Sequence, residues 1–395
     1  MSQITHSYSG WARRLIRCTV AFIAVAAAGV AAAQTGTASP TADSVEFNDS
    51  HFHLTNYVQE GLDIHKFLEI MGPRVGRVAL FGIPLQQEWS YANSGNYAPT
   101  YYLQSDAPLY YYSFTDAVIA TEYRSLTKAE QARFDPMITG FNPADMYAVA
   151  HIKRVLRTFP GVFEGIGEFS IHKEFVSSKV AGEVASLTNP ALDSILAFAG
   201  EAGMVVILHN DIDMPFAKPG IEPVYITQIK ALLRRHANTT IIWAHTGLGR
   251  VVHPTQPNDA GAPAQRAPYH RDILRGILED PALKNVYFDL SWDEVAKYIL
   301  ATPQSLDSSA ALINAFPDRF LFGTDEVAPP DRASYTKVFV MYGPLWAKLT
   351  PEASRKVRKE NFVRLFDAAR VGVRAWEKAN LKQPAPAKGA GKSSQ

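Results

Sequence analysis

Along this chain, short continuous apolar runs alternate with longer stretches in which apolar residues recur every three or four positions. The short runs, rich in Val, Ile and Phe, predict strands buried on both faces, and the longer stretches predict helices that bury one stripe. Eight strands are expected, over 45–51, 77–84, 136–141, 162–169, 204–209, 240–245, 285–290 and 319–323. Among the helices, one opens at Asn189-Pro190, carries Leu192, Ile195, Leu196 and Ala199 on one face and stops at Gly203. Another spans 222–236, and the last, 351–369, turns Val357, Phe362, Leu365 and Phe366 inward. Strands and helices in alternation predict an α/β protein with a parallel sheet. Eight such units, with no Gly-rich phosphate loop after the first strand, predict a (β/α)8 TIM barrel over a doubly wound sheet.

The stretch 86–135 breaks this rhythm and is too long for a strand-to-helix loop. It reads as an aromatic-rich insertion after the second strand, with Tyr91, Tyr97, Tyr101, Tyr102 and Tyr110-Tyr111-Tyr112. Amphipathic tyrosines suit a wall that meets a partly polar small-molecule substrate. They equally suit packing within the insertion or across the interface of a homodimer.

Composition narrows the function classes. The hydrophobic share of 47% and charged share of 19% are those of a globular protein with a sizeable core, and a net charge of +1 leaves no electrostatic footprint for nucleic acid. Residues 1–34 read as a secretory signal: Arg13, Arg14 and Arg17 precede an apolar run over 18–33 ending in Ala31-Ala32-Ala33. The run falls short of the ~20 apolar residues of a spanning helix, so cleavage, no stable membrane insertion, and a periplasmic or secreted protein are expected. The Arg13-Arg14 pair allows twin-arginine export. Residues 35–44 read as a flexible spacer, 45–380 as the folded unit and 381–395 as a disordered tail. Cys18 is the only cysteine and leaves with the signal, so any metal ligands must be histidines and carboxylates.

Those residue types stand at the ends of the predicted strands. Asp49-Ser50-His51-Phe52-His53 closes the first strand, and period-two alternation points His51 and His53 to one side. Val205-Val206-Ile207-Leu208-His209 and Ile241-Ile242-Trp243-Ala244-His245 each run into a histidine, and Phe320-Leu321-Phe322-Gly323-Thr324-Asp325 runs into a carboxylate. In a barrel all C-terminal strand ends share one rim, so these residues converge. His51, His53, His209 and Asp325 then form an all-N/O set suited to Zn²⁺ or Mn²⁺. Glu168 closes the fourth strand behind Gly165 and Gly167; it either joins the metal ligands, bridging one ion to a second, or holds a substrate group, or orients a ligand histidine. His172 and Lys173 on the following loop are candidates for a substrate carboxylate, with solvated loop residues the commoner reading, and Arg250 is a candidate substrate contact. Asp211, Asp213, Asp289 and Asp293 either orient ligands or cap helices, with capping the default. His253 and His270 read as surface residues.

His51-x-His53, His209, His245 and Asp325, in this order, resemble the amidohydrolase superfamily and specifically its amidohydrolase-related branch. The resemblance spans 45–369 and includes Asn361-Phe362-Val363-Arg364-Leu365-Phe366, similar to the branch's closing segment. It implies that His51, His53, His209 and Asp325 bind metal while His245 faces the substrate. A glutamate at 168, where many two-metal members carboxylate a lysine, resembles the superfamily's metal-dependent deoxyribonucleases and leaves one or two ions open. The implied activity is hydrolysis of an amide, ester or lactone, with Asp325 taking a proton from activated water and His245 polarising the carbonyl. Because the branch also contains decarboxylases such as aminocarboxymuconate semialdehyde decarboxylase, metal-dependent decarboxylation is the alternative, and a non-catalytic ligand-binding barrel is a third.

Overall fold

The computed structural model of the protein describes residues 44–56, 61–83, 87–88, 114–173, 177–178, 186–215, 222–250, 252 and 270–381. The expected leader, the spacer up to residue 43, the tyrosines of the insertion, His253 and the tail beyond Leu381 lie outside the described residues.

The expected strands form one sheet: β1 (Phe47–His53), β2 (Val75–Phe81), β3 (Phe134–Ile138), β4 (Gly165–Ser170), β5 (Val205–His209), β6 (Thr240–Trp243), β7 (Val286–Asp289) and β8 (Phe320–Leu321). A two-residue segment, β9 (Glu326–Val327), follows β8. The sheet order is β8-β7-β6-β5-β4-β3-β2-β1-β9, and every pairing is parallel. The two ends of this order belong to one stretch of chain. Between β8 and β9 the backbone continues to bond to β1, Ser50 N–H donating to Phe322 O (3.0 Å) and Asp325 N–H to His51 O (2.8 Å). The sheet therefore curls until its last segment meets its first strand.

Two separate apolar clusters follow from that curl. The larger lies between the helices and the outer face of the sheet. The smaller joins Ala79, Phe81, Met137, Val205, Ile207, Ile242, Ala244 and Leu321 from five different strand regions, so it fills the space the sheet encloses. Phe362, Leu365, Phe366 and Ala369 of the last helix belong to it too, which makes that helix a plug at one end. Space inside is tight: a Cβ on Gly167 of β4 would lie 2.7 Å from the Phe81 ring and 2.7 Å from Thr139, so only glycine fits there.

The helix Pro190–Ala202 matches its sequence signals, with the Asn189 side chain accepting from Ala191 N–H and Gly203 left-handed at φ 71°. The last helix runs further than expected, from Pro351 through a π-helical turn at Lys356–Glu360 to Asn380. Only part of the stretch 86–135, expected as an insertion, falls among the described residues. Its final part folds into the helices Thr115–Ser125 and Lys128–Gln131, the second opened by a capping box between Thr127 and Glu130, and β3 begins at Phe134. These helices supply the crossover between β2 and β3. Their weak apolar periodicity and the tyrosine run before them hid that from the sequence.

Asp116 fastens this crossover. Its carboxyl is buried and accepts the amides of Thr139 (2.8 Å) and Gly140 (3.0 Å) at the exit of β3. Burial pushes its pKa up to about 7, against the lowering effect of those two bonds. Asp116→Ala at pH 6 should cost about 1–3 kcal/mol, since it strips two buried amides of their acceptor. The raised folded-state pKa also gives a sign. The protonated group's contribution is complete below about pH 4 and is lost as pH rises through about 7, so denaturant titrations across that range should show a decline that Asp116→Ala flattens.

Candidate functional site

β1 is rich in polar residues, yet all of it is buried, so each polar group needs a partner inside the protein. The strand is irregular against β2, with register shifts between Phe47 and Asp49 and between Asp49 and Phe52. His51 falls within the second shift and His53 just after it; their rings lie 5.2 Å apart, and both lie against Phe81 of the enclosed cluster. Phe81 thus floors the site.

The C-terminal strand ends bring the other expected residues to these two. His51, Glu168, His245 and Asp325 each offer a ligand atom, and these atoms all lie within 4.8 Å of one another. His53 joins through Nε2, 3.2 Å from Asp325 Oδ1 and 3.4 Å from Glu168 Oε2. His209 meets the other carboxylate oxygen, its Nδ1 2.5 Å from Glu168 Oε1. All six candidate residues therefore adjoin one another at one end of the sheet.

The outward ring nitrogens reveal how the imidazoles are aimed. His51 donates from Nδ1 to Asp289 Oδ2 (2.9 Å) and His209 from Nε2 to Asp211 Oδ1 (3.0 Å), because an ionised carboxylate can only accept. His245 Nδ1 lies 2.8 Å from Ser291 Oγ. The Ser291 hydroxyl itself donates to Asp289 Oδ1, so it accepts from His245. Asp289 and Asp211 are thus orienting groups, not helix caps. Asp213 holds the loop after β5 by accepting from Met214 and Val224 amides, and Asp293 pairs with Lys297 and Lys337.

Backbone strain collects at the same place. Among the described residues, the non-glycine positions with positive φ are His245 (55°), Thr246 (54°), Trp292 (74°), Asp325 (56°) and Ala328 (43°), all on the segments leaving β6, β7 and β8. Such conformations cost on the order of 1–3 kcal/mol each and persist only when surroundings enforce them. Here Asp289 Oδ1 takes His245 N–H (2.7 Å), and His270 Nε2 donates to Thr246 O (2.8 Å). His270 corrects the sequence expectation of a surface residue. It is buried at the start of the helix His270–Leu278, and burial pushes its pKa down to about 4, leaving it neutral.

The electrostatics describe a centre that draws positive charge. Burial alone would depress the pKa of His51, but the carboxylates of Asp289 and Asp325 outweigh it and raise it well above the usual histidine range. Burial likewise opposes charge on Asp325, yet His245 and His51 hold it well below the usual carboxylate range. For Glu168 the ammonium of Lys173, 3.6 Å from Oε1, and the adjoining imidazoles do the same. His245 is lowered by burial. A divalent cation fits this set on an independent observation: His51 Nε2 is buried without a hydrogen-bond partner and faces the carboxylates of Asp325 and Glu168. An imidazole held through its far nitrogen by a carboxylate, with its other nitrogen aimed into the cluster, is the usual arrangement of a metal ligand.

Ser291 and Thr324, which sequence reading passed over, also shape the site. Thr324 N–H and Oγ1 both bond Asp49 (2.9 and 2.6 Å), locking β1 to the segment that carries Asp325. Their adjacency to the strand-end motifs is the one signal that could have singled them out.

No curated protein matches the chain by sequence. A zinc-bound amidohydrolase from Burkholderia multivorans resembles it in structure, with 15% identity, a TM-score of 0.50 and coverage of 81% of this chain and 99% of that one. An uncharacterised TIM-barrel protein from Bordetella bronchiseptica aligns over 82% of this chain and 99% of its own with 15% identity and a TM-score of 0.48. Amidohydrolase 2 from Bifidobacterium longum subsp. infantis does so over 82% and 99% with 12% identity and a TM-score of 0.44. The sequence pattern of the family described as Amidohydrolase matches residues 49–368, from Asp49 of β1 into the last helix and across every strand that contributes to the cluster. On that match the chain belongs to the amidohydrolase family.

Proposed function

We propose that this protein is a metal-dependent hydrolase built on a (β/α)8 barrel, which cleaves an amide, ester or lactone bond of a small molecule. His51, His53, His209, Glu168 and Asp325 would hold the divalent cation, zinc or manganese. The observation that carries the reading is the buried group of His51, Glu168, His245 and Asp325, whose histidine nitrogens and carboxylate oxygens converge within 4.8 Å. Family membership supports the hydrolytic class. The zinc in the Burkholderia protein supports a divalent metal.

Such a cation, when bound, lowers the pKa of water from 15.7 to about 7 and polarises a carbonyl oxygen. The chain's own residues then handle the protons. Asp325, ionised and carried on a left-handed residue that fixes its direction, accepts the proton of the attacking water and returns it to the leaving group. With its Nδ1 proton given to Ser291, neutral His245 presents a lone pair at Nε2. It therefore accepts a hydrogen bond from the water, in place of the carbonyl-polarising role that the resemblance implies. Asp289 holds both His51 and the His245 backbone in register.

Asp325→Asn should lower kcat on an ester and lactone panel by about 10²–10⁴ while leaving circular dichroism unchanged; full activity in this variant would remove the assignment. In H₂¹⁸O the product of the wild type should carry one solvent oxygen, whereas CO₂ release without it would replace hydrolysis by decarboxylation. Asp289→Asn should weaken zinc affinity about 10–100-fold in a chelator competition, since it releases the His51 ring. The export reading extends the proposal to location, and N-terminal sequencing of the protein recovered from its native cells should begin at or next to Gln34.

A further inference from the structure

Lys173 is a buried cation that the chemistry above does not use. Its side chain is 9% exposed, and its Nζ stands 3.6 Å from Oε1 of Glu168, itself 7% exposed. Its position is set by the main chain. After β4 the segment keeps pairing with β5: Ser170 stands in register with His209, Ile171 N–H donates to His209 O (3.0 Å), and Asp211 N–H donates to His172 O (2.8 Å). The His172 ring stacks on Tyr225 at 3.9 Å, clamping the residue before the lysine.

Glu168 divides the centre in two. Its Oε2 faces His53 Nε2 (3.4 Å) and His51 Nε2 (3.7 Å), beside Asp325, while its Oε1 faces His209 Nδ1 (2.5 Å) and His245 Nε2 (3.4 Å). Two ions bridged by this carboxylate would take one oxygen each. The second would have to use Oε1, the oxygen that already faces the ammonium. A cation there would sit against a like charge in a buried site, where water cannot screen the repulsion.

We infer that Lys173 occupies the place of a second metal ion, satisfying Glu168 Oε1 and repelling a further cation from beside His245, so that the centre holds one divalent ion, with His209 among the ligands of that ion. This rests on the metal-centre reading above. It makes Lys173 a positioning residue that frees His245 from metal ligation.

The test is metal stoichiometry of the full mature chain, as wild type, Lys173→Arg and Lys173→Met, each loaded with excess Mn²⁺, desalted and analysed for manganese per chain, with thermal melts as a fold control. About one ion is expected for wild type and for the arginine variant, which keeps the charge, and about two for the methionine variant. Electron paramagnetic resonance gives a second readout, an isolated-ion signal in wild type and a spin-coupled pair in Lys173→Met. Lys173→Gln replaces the methionine variant if that one does not fold. Two ions in the wild type, or one ion in both wild type and the charge-removing variant, would overturn the inference and leave the metal centre standing. No ion in any folded variant would overturn the metal centre as well.

Discussion

Asp289 has no solvent exposure, and its two oxygens are committed to two different strands. One accepts from the ring of His51 on β1; the other takes the backbone of His245 after β6 and the hydroxyl of Ser291. A buried carboxylate is tolerated only when charge and hydrogen bonds repay its desolvation. Here the partners that satisfy it belong to the buried cluster of histidines and carboxylates. Release of Asp289 would free an imidazole, relax a left-handed turn and leave an unpaired buried charge in one step.

The same logic explains a first strand that would otherwise be a poor core element. Asp49 is completely buried, and burial pushes its pKa up to about 6, although Thr324, the His51 amide and the hydroxyl of Tyr335 all donate to it. Those bonds tie β1 to the segment after β8 and to the helix Arg332–Met341, so the polar strand forms the seam at which the curled sheet joins itself. The seam and the reaction centre are built from one network. The strained residues gather on the segments leaving β6, β7 and β8, where tight packing and buried acceptors can enforce unfavourable φ.

Charge in the centre is graded along Glu168. One oxygen turns to the histidines of β1 and the other to the histidine that ends β5 and the one after β6, with Lys173 closing that side. The family match spans all of these residues, and Lys173 stands at the exit of β4.

The sequence by itself determined eight of the sheet's nine strands, their parallel alternation with helices and the strand-end positions of His51, His53, Glu168, His209, His245 and Asp325. These are local properties: apolar runs set strands, and a polar residue ending such a run marks the rim. It also carried the caps of the helix Pro190–Ala202, which depend on neighbours within a turn. Only the tertiary structure decided that Asp289 and Asp211 orient imidazoles, that His270 is buried under Thr246, that Asp116 anchors the β2–β3 crossover, and which oxygen of Glu168 meets Lys173. Each depends on a partner elsewhere in the chain or on a backbone turn after a strand, and periodicity carries no information about which acceptor a buried donor will meet.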